Sequence, residues 1–294
     1  MAHVSFKRLR FAPSPNGYLH LGHAYSALLN QQVATQTDAE LLLRIEDIDQ
    51  TRARAEYVSA IYEDLKWLGL SWPEPVMHQS QRLAEYSKKL DWLIEEGLAY
   101  RAFLSRKDIK NYATEYNQNN AHDWPNDPDG APLYPQMCKQ QSQQVSDQRA
   151  NDGEAYTWRL DMQKAVSYIN CELAWSEYDL DFSKTVIKAN PSLWGDVILA
   201  RKDIPTSYHL SVVLDDAVQD IDLIVRGMDL YHASSVHRLL QVLFQLPEPN
   251  YMHHKLVLDT DGRKLSKSNR DTSLRSLRDD AGFSVADIKQ KLGF

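Results

Sequence analysis

The sequence predicts a mixed α/β fold organised around a parallel sheet. Short apolar runs alternate with stretches of helical periodicity from residue 9 onward, the pattern of repeated strand–helix–strand units. Glycines fall just beyond two of the expected helices, at Gly69 and Gly97, where a left-handed terminus favours them. The 294 residues, 43% hydrophobic and 25% charged, suit a folded chain with a sizeable core. Disorder, collagen and coiled coil are excluded.

Residues 9–12 read as a first strand, and Asn16-Gly17 marks a turn after it. Leu21, Ala24, Tyr25 and Leu28 then recur at helical spacing, so a helix begins between His20 and Gly22. Leu41-Leu42-Leu43-Arg44-Ile45 is a compact second strand that stops at the carboxylates Glu46, Asp47 and Asp49. Helices are predicted over 53–68 and 81–96, the second capped by Ser80. Residues 117–144 break the rhythm. Ten of these 28 are Asn or Gln and four prolines interrupt them, so the stretch reads as a loosely ordered insertion. Regular structure resumes over 155–169. Val212-Val213-Leu214 and Leu223-Ile224-Val225 look like further strands, ending at Asp215 and Arg226, and 233–244 has a helical pattern.

Lys plus Arg total 33 against 40 Asp plus Glu, a formal charge of −7 that argues against wholesale wrapping of nucleic acid. Charge is nevertheless segregated. Residues 252–278 hold seven basic and three acidic side chains, while 215–229 hold one basic and five acidic. The first segment is a candidate RNA contact, or equally one that serves a nucleotide alone. Only Cys138 and Cys171 are present, too few for a disulfide framework, which points to a reducing cytosol. Cys171 is expected as a small buried apolar residue. No signal-peptide core follows Lys7, Arg8 and Arg10, and no uncharged apolar run approaches the roughly 18 residues of a membrane span. The protein is expected in the cytoplasm, away from membranes.

No two glycines stand as Gly-x-Gly, so a dinucleotide fingerprint is missing. Gly17 and Gly22 have Walker spacing, but His23-Ala24 follows where Lys-Ser or Lys-Thr is required. What stands there is His20-Leu21-Gly22-His23 at a strand–turn–helix junction. A helix N-terminus offers free N–H groups and partial positive charge, and a glycine admits close approach of a ligand. Two imidazoles beside it would stabilise charge growing on phosphate oxygens. More than 240 residues later Asp261-Gly262 precedes Lys264-Leu265-Ser266-Lys267-Ser268, a basic loop suited to triphosphate oxygens.

With these motifs in place the chain resembles the class I glutamyl-tRNA synthetases. Residues 10–17 running into His20-Leu21-Gly22-His23 resemble that family's first signature, and Lys264 to Ser268 its second. Residues 44–49, Tyr208 with 212–216, and Val225-Arg226-Gly227 are similar to its acidic strand end and amino-acid pocket. The resemblance implies a Rossmann-type catalytic domain with an inserted subdomain and a small C-terminal helical region. It divides the chain into 1–98 and 181–245 as catalytic halves, 99–180 as the insert, and 246–294 as a stem-contact-like region carrying the lysine–serine loop. It also implies activation of L-glutamate by ATP and Mg²⁺. His20, Gly22, His23, Lys264, Ser266 and Lys267 would bind ATP, with His20, His23 and Lys267 catalytic. Arg10 and Arg226 would hold the substrate carboxylates in bidentate pairs, and Glu46 its ammonium, with Ala12, Ser14 and Tyr208 beside them.

Two departures refine the resemblance. Only 26 residues follow Ser268, too few for an anticodon-binding domain. The chain is thus closer to the truncated branch, the glutamyl-queuosine tRNA(Asp) synthetases, which activate glutamate without tRNA and esterify it to queuosine in the tRNA(Asp) anticodon. A monomer is expected. The family's zinc ligands are also incomplete: Tyr134 and Cys138 remain, but Ala102 and Leu104 replace the Cys pair, so no zinc is expected, with His122 the one nearby substitute. Competing readings are the catalytic core of a glutamyl-tRNA synthetase, a small-molecule adenylyltransferase sharing His-x-Gly-His, and a non-catalytic tRNA-binding paralogue.

Overall fold

The structure, a computed structural model, describes residues 4–139, 141–258 and 272–294. In the N-terminal half strand and helix alternate: β1 (Arg8–Phe11), α1 (Leu21–Thr37), β2 (Glu40–Ile45), α2 (Ala55–Trp67), β3 (Met77–His78) and α3 (Leu83–Glu95). The three strands pair in parallel in the order β1-β2-β3. Gly69 and Gly97 have φ of +85° and +66°, one residue past the caps of α2 and α3. Ser80 does not cap α3, which starts later, after a 3₁₀ turn. Its N–H and hydroxyl both donate to the Asp47 carboxylate instead, at 2.8 Å.

Among the described residues the remaining strands and α-helices are β4 (Ala99–Ala102), α4 (Arg106–Asn119), α5 (Gln143–Asn151), β5 (Thr157–Leu160), α6 (Met162–Ile169), β6 (Ala174–Tyr178), β7 (Lys184–Lys188), β8 (Ile198–Arg201), α7 (Tyr208–Val218), β9 (Leu223–Gly227), α8 (Ser234–Leu243), β10 (Asn250–His254), α9 (Leu274–Asp279) and α10 (Val285–Leu292). β6, β10 and β9 run parallel, with β7 antiparallel at the edge. The two parallel sheets meet at β1 and β9. There the Asp222 carboxylate accepts the Lys7 and Arg8 N–H groups at 2.8–2.9 Å, and Asp222 N–H donates to Arg8 O at 3.2 Å. β1 thus has its chain neighbour β2 on one side and the distant β9 on the other. Such a reversal of strand order leaves a crevice at the carboxyl ends of the strands.

Three further expectations change. Val212-Val213-Leu214 lies in α7, not in a strand. Every residue from 210 to 216 is buried, so this helix carries a continuous apolar run that periodicity cannot tell from a strand. Asp215 is then no strand end: fully buried, it accepts from Gln79, Arg82 and Tyr86 at 2.7–2.8 Å. Among the described residues, the Asn/Gln-rich stretch is packed rather than loosely ordered. α4 extends into it, the Trp124 ring sits edge-on against Tyr112 and Tyr116, and its indole N–H donates to Leu133 O at 2.9 Å. The buried Asp196 carboxylate gathers Tyr100, Gln136, Lys139 and the Met162 N–H. Aromatic contacts and one buried acid do here what aliphatic burial does elsewhere. Cys171 is exposed, on the turn that follows the left-handed cap Asn170 of α6.

Divisions at residues 180 and 245 do not follow the sheets. β8 closes an antiparallel sheet with β4 and β5, while β6, β7 and β10 all belong to the parallel layer. One apolar cluster joins Leu160, Trp175, Leu199, Val213, Leu239 and Tyr251 across those divisions. A second packs Leu28, Ile45, Ile61 and Leu65 against Leu274 and Ile288 of the C-terminal helices. Among the described residues no helix is long and apolar enough to cross a membrane.

Candidate active site

The crevice at the ends of β1, β2, β9 and β10 holds a cavity of about 600 Å³. Arg10, Ala12, Ser14, His20, Gly22, His23, Glu46, Tyr208 and Arg226 all line it, so every expected site residue that is described reaches one cavity. Lys264, Ser266 and Lys267 lie outside the described residues. On either side of their segment, Leu256 and Val257 line the same cavity, Ser273 forms a β-bridge with His20, and Leu274 N–H donates to Leu19 O at 2.7 Å.

At the end formed by the α1 tip, His20 is the N-cap of α1. Its Nδ1 accepts the Gly22 N–H at 3.1 Å, and His23 Nδ1 accepts the His20 N–H at 3.2 Å. Accepting through Nδ1 requires the neutral ring to carry its proton on Nε2. Two imidazoles with centroids 3.9 Å apart thereby become Nε2–H donors at the positive end of a 17-residue helix. Space at Gly22 is tight. A Cβ there would lie 3.0 Å from His20 Cε1 and 3.1 Å from Nδ1.

The other end is a buried charge cluster. Asp216, from α7, accepts Arg10 Nε at 2.9 Å and Arg44 Nη1 at 2.8 Å. Arg44, fully buried, also donates to Glu46 at 3.2 Å. Burial alone would raise the Asp216 pKa, but the two guanidiniums outweigh it and hold the carboxyl below its ordinary range. Glu46 shifts the other way: burial raises it against the pull of Arg44 and Arg10. Arg226 stands apart, donating to Tyr208 Oη at 3.4 Å and to neutral groups around it. The cavity itself is lined by three guanidiniums, Arg10, Arg52 and Arg226, and two carboxylates, Glu46 and Asp229, a formal surplus of one positive charge. The expected bidentate role of Arg10 is altered, because Asp216 takes its Nε and, at 3.5 Å, its Nη2.

Sequence reasoning left Arg44 without a role and missed the histidines behind Arg226. A lone arginine inside the run Leu41 to Ile45 is the signal for the first, since a buried charge needs partners. His237 within the apolar stretch of α8 is the signal for the second.

A second cavity of about 570 Å³ adjoins the first through Ser14, Asn16, Glu46, Arg52 and Tyr208. Its far wall comes from the antiparallel sheet and its helices: Arg106, Lys110, Arg159, Trp194 and Arg201. Deeper in that wall, Ala102, Leu104, Tyr134 and Cys138 converge in one apolar cluster with Ile109. Two of those four carry no donor atom, and burial pushes the Cys138 thiol pKa up, so the donor set does not fit tetrahedral zinc. His122 is exposed.

Comparison with known proteins places this geometry. The family described as tRNA synthetases class I (E and Q), catalytic domain, matches residues 7–286. A Rhodobacter capsulatus protein named Glutamyl-Q tRNA(Asp) synthetase is 40% identical over 293 residues, covering 97% of this chain and 99% of the relative. The Glutamate–tRNA ligase of Coprothermobacter proteolyticus is 33% identical over 277 residues, 94% of this chain but only 55% of the relative. The crystal structure of glutamate–tRNA synthetase from Elizabethkingia anophelis shares the fold, with a TM-score of 0.69 at 23% identity. It is matched over 90% of this chain and 53% of that one.

Proposed function

The chain belongs to the class I tRNA synthetases of the glutamate and glutamine type, and on that premise we propose that it activates L-glutamate with ATP, without tRNA, and transfers it to queuosine in the anticodon of tRNA(Asp). The observation that carries the amino-acid part is the single surplus positive charge beside Glu46. Glutamate brings one ammonium and two carboxylates, a net charge of minus one that offsets the surplus. Glutamine would leave a buried positive charge uncompensated. The nucleoside part leans on the Rhodobacter capsulatus relative, matched almost end to end. The second cavity adjoining Glu46 and Tyr208 gives an acceptor room to approach.

In the first step a glutamate α-carboxylate oxygen attacks the α-phosphorus of ATP, whose phosphate charge Mg²⁺ would offset when bound. The new O–P bond forms as the bond to the bridging oxygen breaks, releasing pyrophosphate. His20 and His23, as Nε2–H donors at the α1 tip, would stabilise the charge on the phosphate oxygens. Gly22 N–H stays on His20 and so keeps that ring in place. Lys267 would neutralise the departing pyrophosphate, with Lys264 and Ser266 binding ATP beside it. Arg226 with Tyr208, and Arg10 through Nη1, would meet the carboxylates, Glu46 the ammonium, with Ala12 and Ser14 along the wall. In the second step a hydroxyl of the queuosine cyclopentene-diol attacks the activated carbonyl and AMP leaves. Positioning and electrostatics supply the rate, since the protein forms no covalent bond itself.

Pyrophosphate exchange into ATP should proceed with L-glutamate in the absence of tRNA, and charging should require tRNA that carries queuosine. Exchange driven by another amino acid would remove the glutamate assignment. Equal loading of tRNA lacking queuosine would return the protein to the ordinary glutamate–tRNA ligases, and exchange with no amino acid would favour a small-molecule adenylyltransferase.

Gly22→Ala separates catalysis from stability at the helix tip. The new methyl presses on the His20 ring and weakens its cap, a loss of up to about 1 kcal/mol that alanine's better helix propensity, up to about 1 kcal/mol, offsets. Thermal melting should move by only a few degrees, while kcat for exchange should fall about tenfold or more through misplaced donors. Unchanged kcat would show that the His20 ring position is immaterial.

A further inference from the structure

Arg226 differs from the other two buried arginines of the cleft in what surrounds it. Its five N–H groups each have an acceptor: His253 Nε2 at 3.1 Å, Tyr208 Oη at 3.4 Å, His237 Nδ1 at 3.2 Å, Leu230 O at 3.1 Å and Ser234 Oγ at 2.7 Å. Arg10 and Arg44 both lie against Asp216, whereas no carboxylate among the described residues is ion-paired with Arg226.

The geometry also dictates the state of the two rings. A nitrogen that accepts from a guanidinium carries no proton, so the proton of each imidazole sits on its other nitrogen. His237 Nε2–H donates to His209 Nδ1 at 3.2 Å, and His253 Nδ1–H donates to Glu177 at 2.9 Å. Each tautomer is held from outside by a second partner. Both rings are buried, and burial together with the Arg226 charge drives the His237 pKa well below its ordinary value and that of His253 to about 4. Neutral rings satisfy the guanidinium without cancelling its charge; a carboxylate in either place would cancel it. The longest of the five contacts, to Tyr208, is the one a ligand in the cavity would share.

We infer that His237 and His253 are positioning residues that hold Arg226 in the cleft as an uncompensated cation, and that the neutrality of His237 sets the preference for an acidic over an amide side chain. This rests on reading the cleft as the site of an acidic amino acid.

The test is a series at His237, read as KM for L-glutamate, KM for ATP and the glutamate-to-glutamine ratio of kcat/KM in pyrophosphate exchange. His237→Leu removes the acceptor and should raise the glutamate KM about tenfold, with the ATP KM unchanged. His237→Gln, whose oxygen accepts from Arg226 while its amide donates to His209, should recover most of that loss. His237→Glu is the same size but neutralises Arg226; it should raise the glutamate KM about 100-fold and erode the preference over glutamine. Leu and Glu variants behaving alike, an ATP KM rising in step, or an unmoved glutamate KM would each overturn the inference. Should circular dichroism show the Glu variant unfolded, the Leu and Gln pair decides the positioning role, and a neutral His237→Gln that lost the preference for glutamate over glutamine would overturn the part given to neutrality. A wild-type enzyme that exchanges with no acidic amino acid defeats the reading of the cleft; normal exchange with a flat His237 series defeats only the inference.

Discussion

Asp216→Asn should destabilise the protein by about 3–5 kcal/mol, the range for breaking a buried ion pair by removing one partner. Asp216 is the shared anion of Arg10 and Arg44, with all three side chains no more than 5% exposed. Its loss leaves two guanidiniums buried around one neutral amide, and a domain's whole stability is only about 5–15 kcal/mol. The effect has a pH signature. Because the folded carboxyl is held below its ordinary value, its contribution is fully present above about pH 4 and is lost as the pH falls through the lower folded pKa. Urea denaturation of wild type and variant should therefore differ most near neutrality and converge in strong acid. Matching midpoints at pH 7 would mean that Asp216 does not hold this cluster together.

Arg226→Gln tests the pocket rather than the fold. Truncating one member of a buried, hydrogen-bonded charge pair costs about 2–5 kcal/mol, so the KM for glutamate should rise about 30-fold to several thousandfold. The substituted amide has two N–H groups for the five acceptors that Arg226 serves, so some stability is lost as well, and the kinetics are read at a temperature where circular dichroism shows the variant folded. The sharper readout is the ratio of kcat/KM for glutamate to that for glutamine, which should collapse because the surplus positive charge has gone. A glutamate KM within about threefold of wild type would show that another group holds the carboxylate. The ATP KM serves as the internal control, since the His20–His23 end of the cavity is built from different segments.

What could be read beforehand divides by the range of the interactions involved. β1, α1 and β2 were legible because their apolar spacing and the Asn16-Gly17 turn lie within a few residues of one another. The same kind of local reading misassigned α7: a helix buried all round loses the amphipathic contrast on which periodicity depends. The Asn/Gln-rich insertion was misjudged because composition registers few aliphatics and cannot register Trp124 meeting Tyr112 and Tyr116. In the site, residues tied to signature motifs were found, and those acting at one remove were not. His237 and His253 lie in ordinary helical and strand contexts and acquire their meaning only from Arg226.

The sequence by itself determined the helix tip, its histidine cap and the glycine between, since all are set by groups within four residues along the chain. Only the tertiary structure decided the charge of the pocket. Arg10 and Asp216 are 206 residues apart in the chain and 2.9 Å apart in space. A buried site's net charge is the sum over whichever side chains the fold brings within reach of one another, and that sum has no local trace in the sequence.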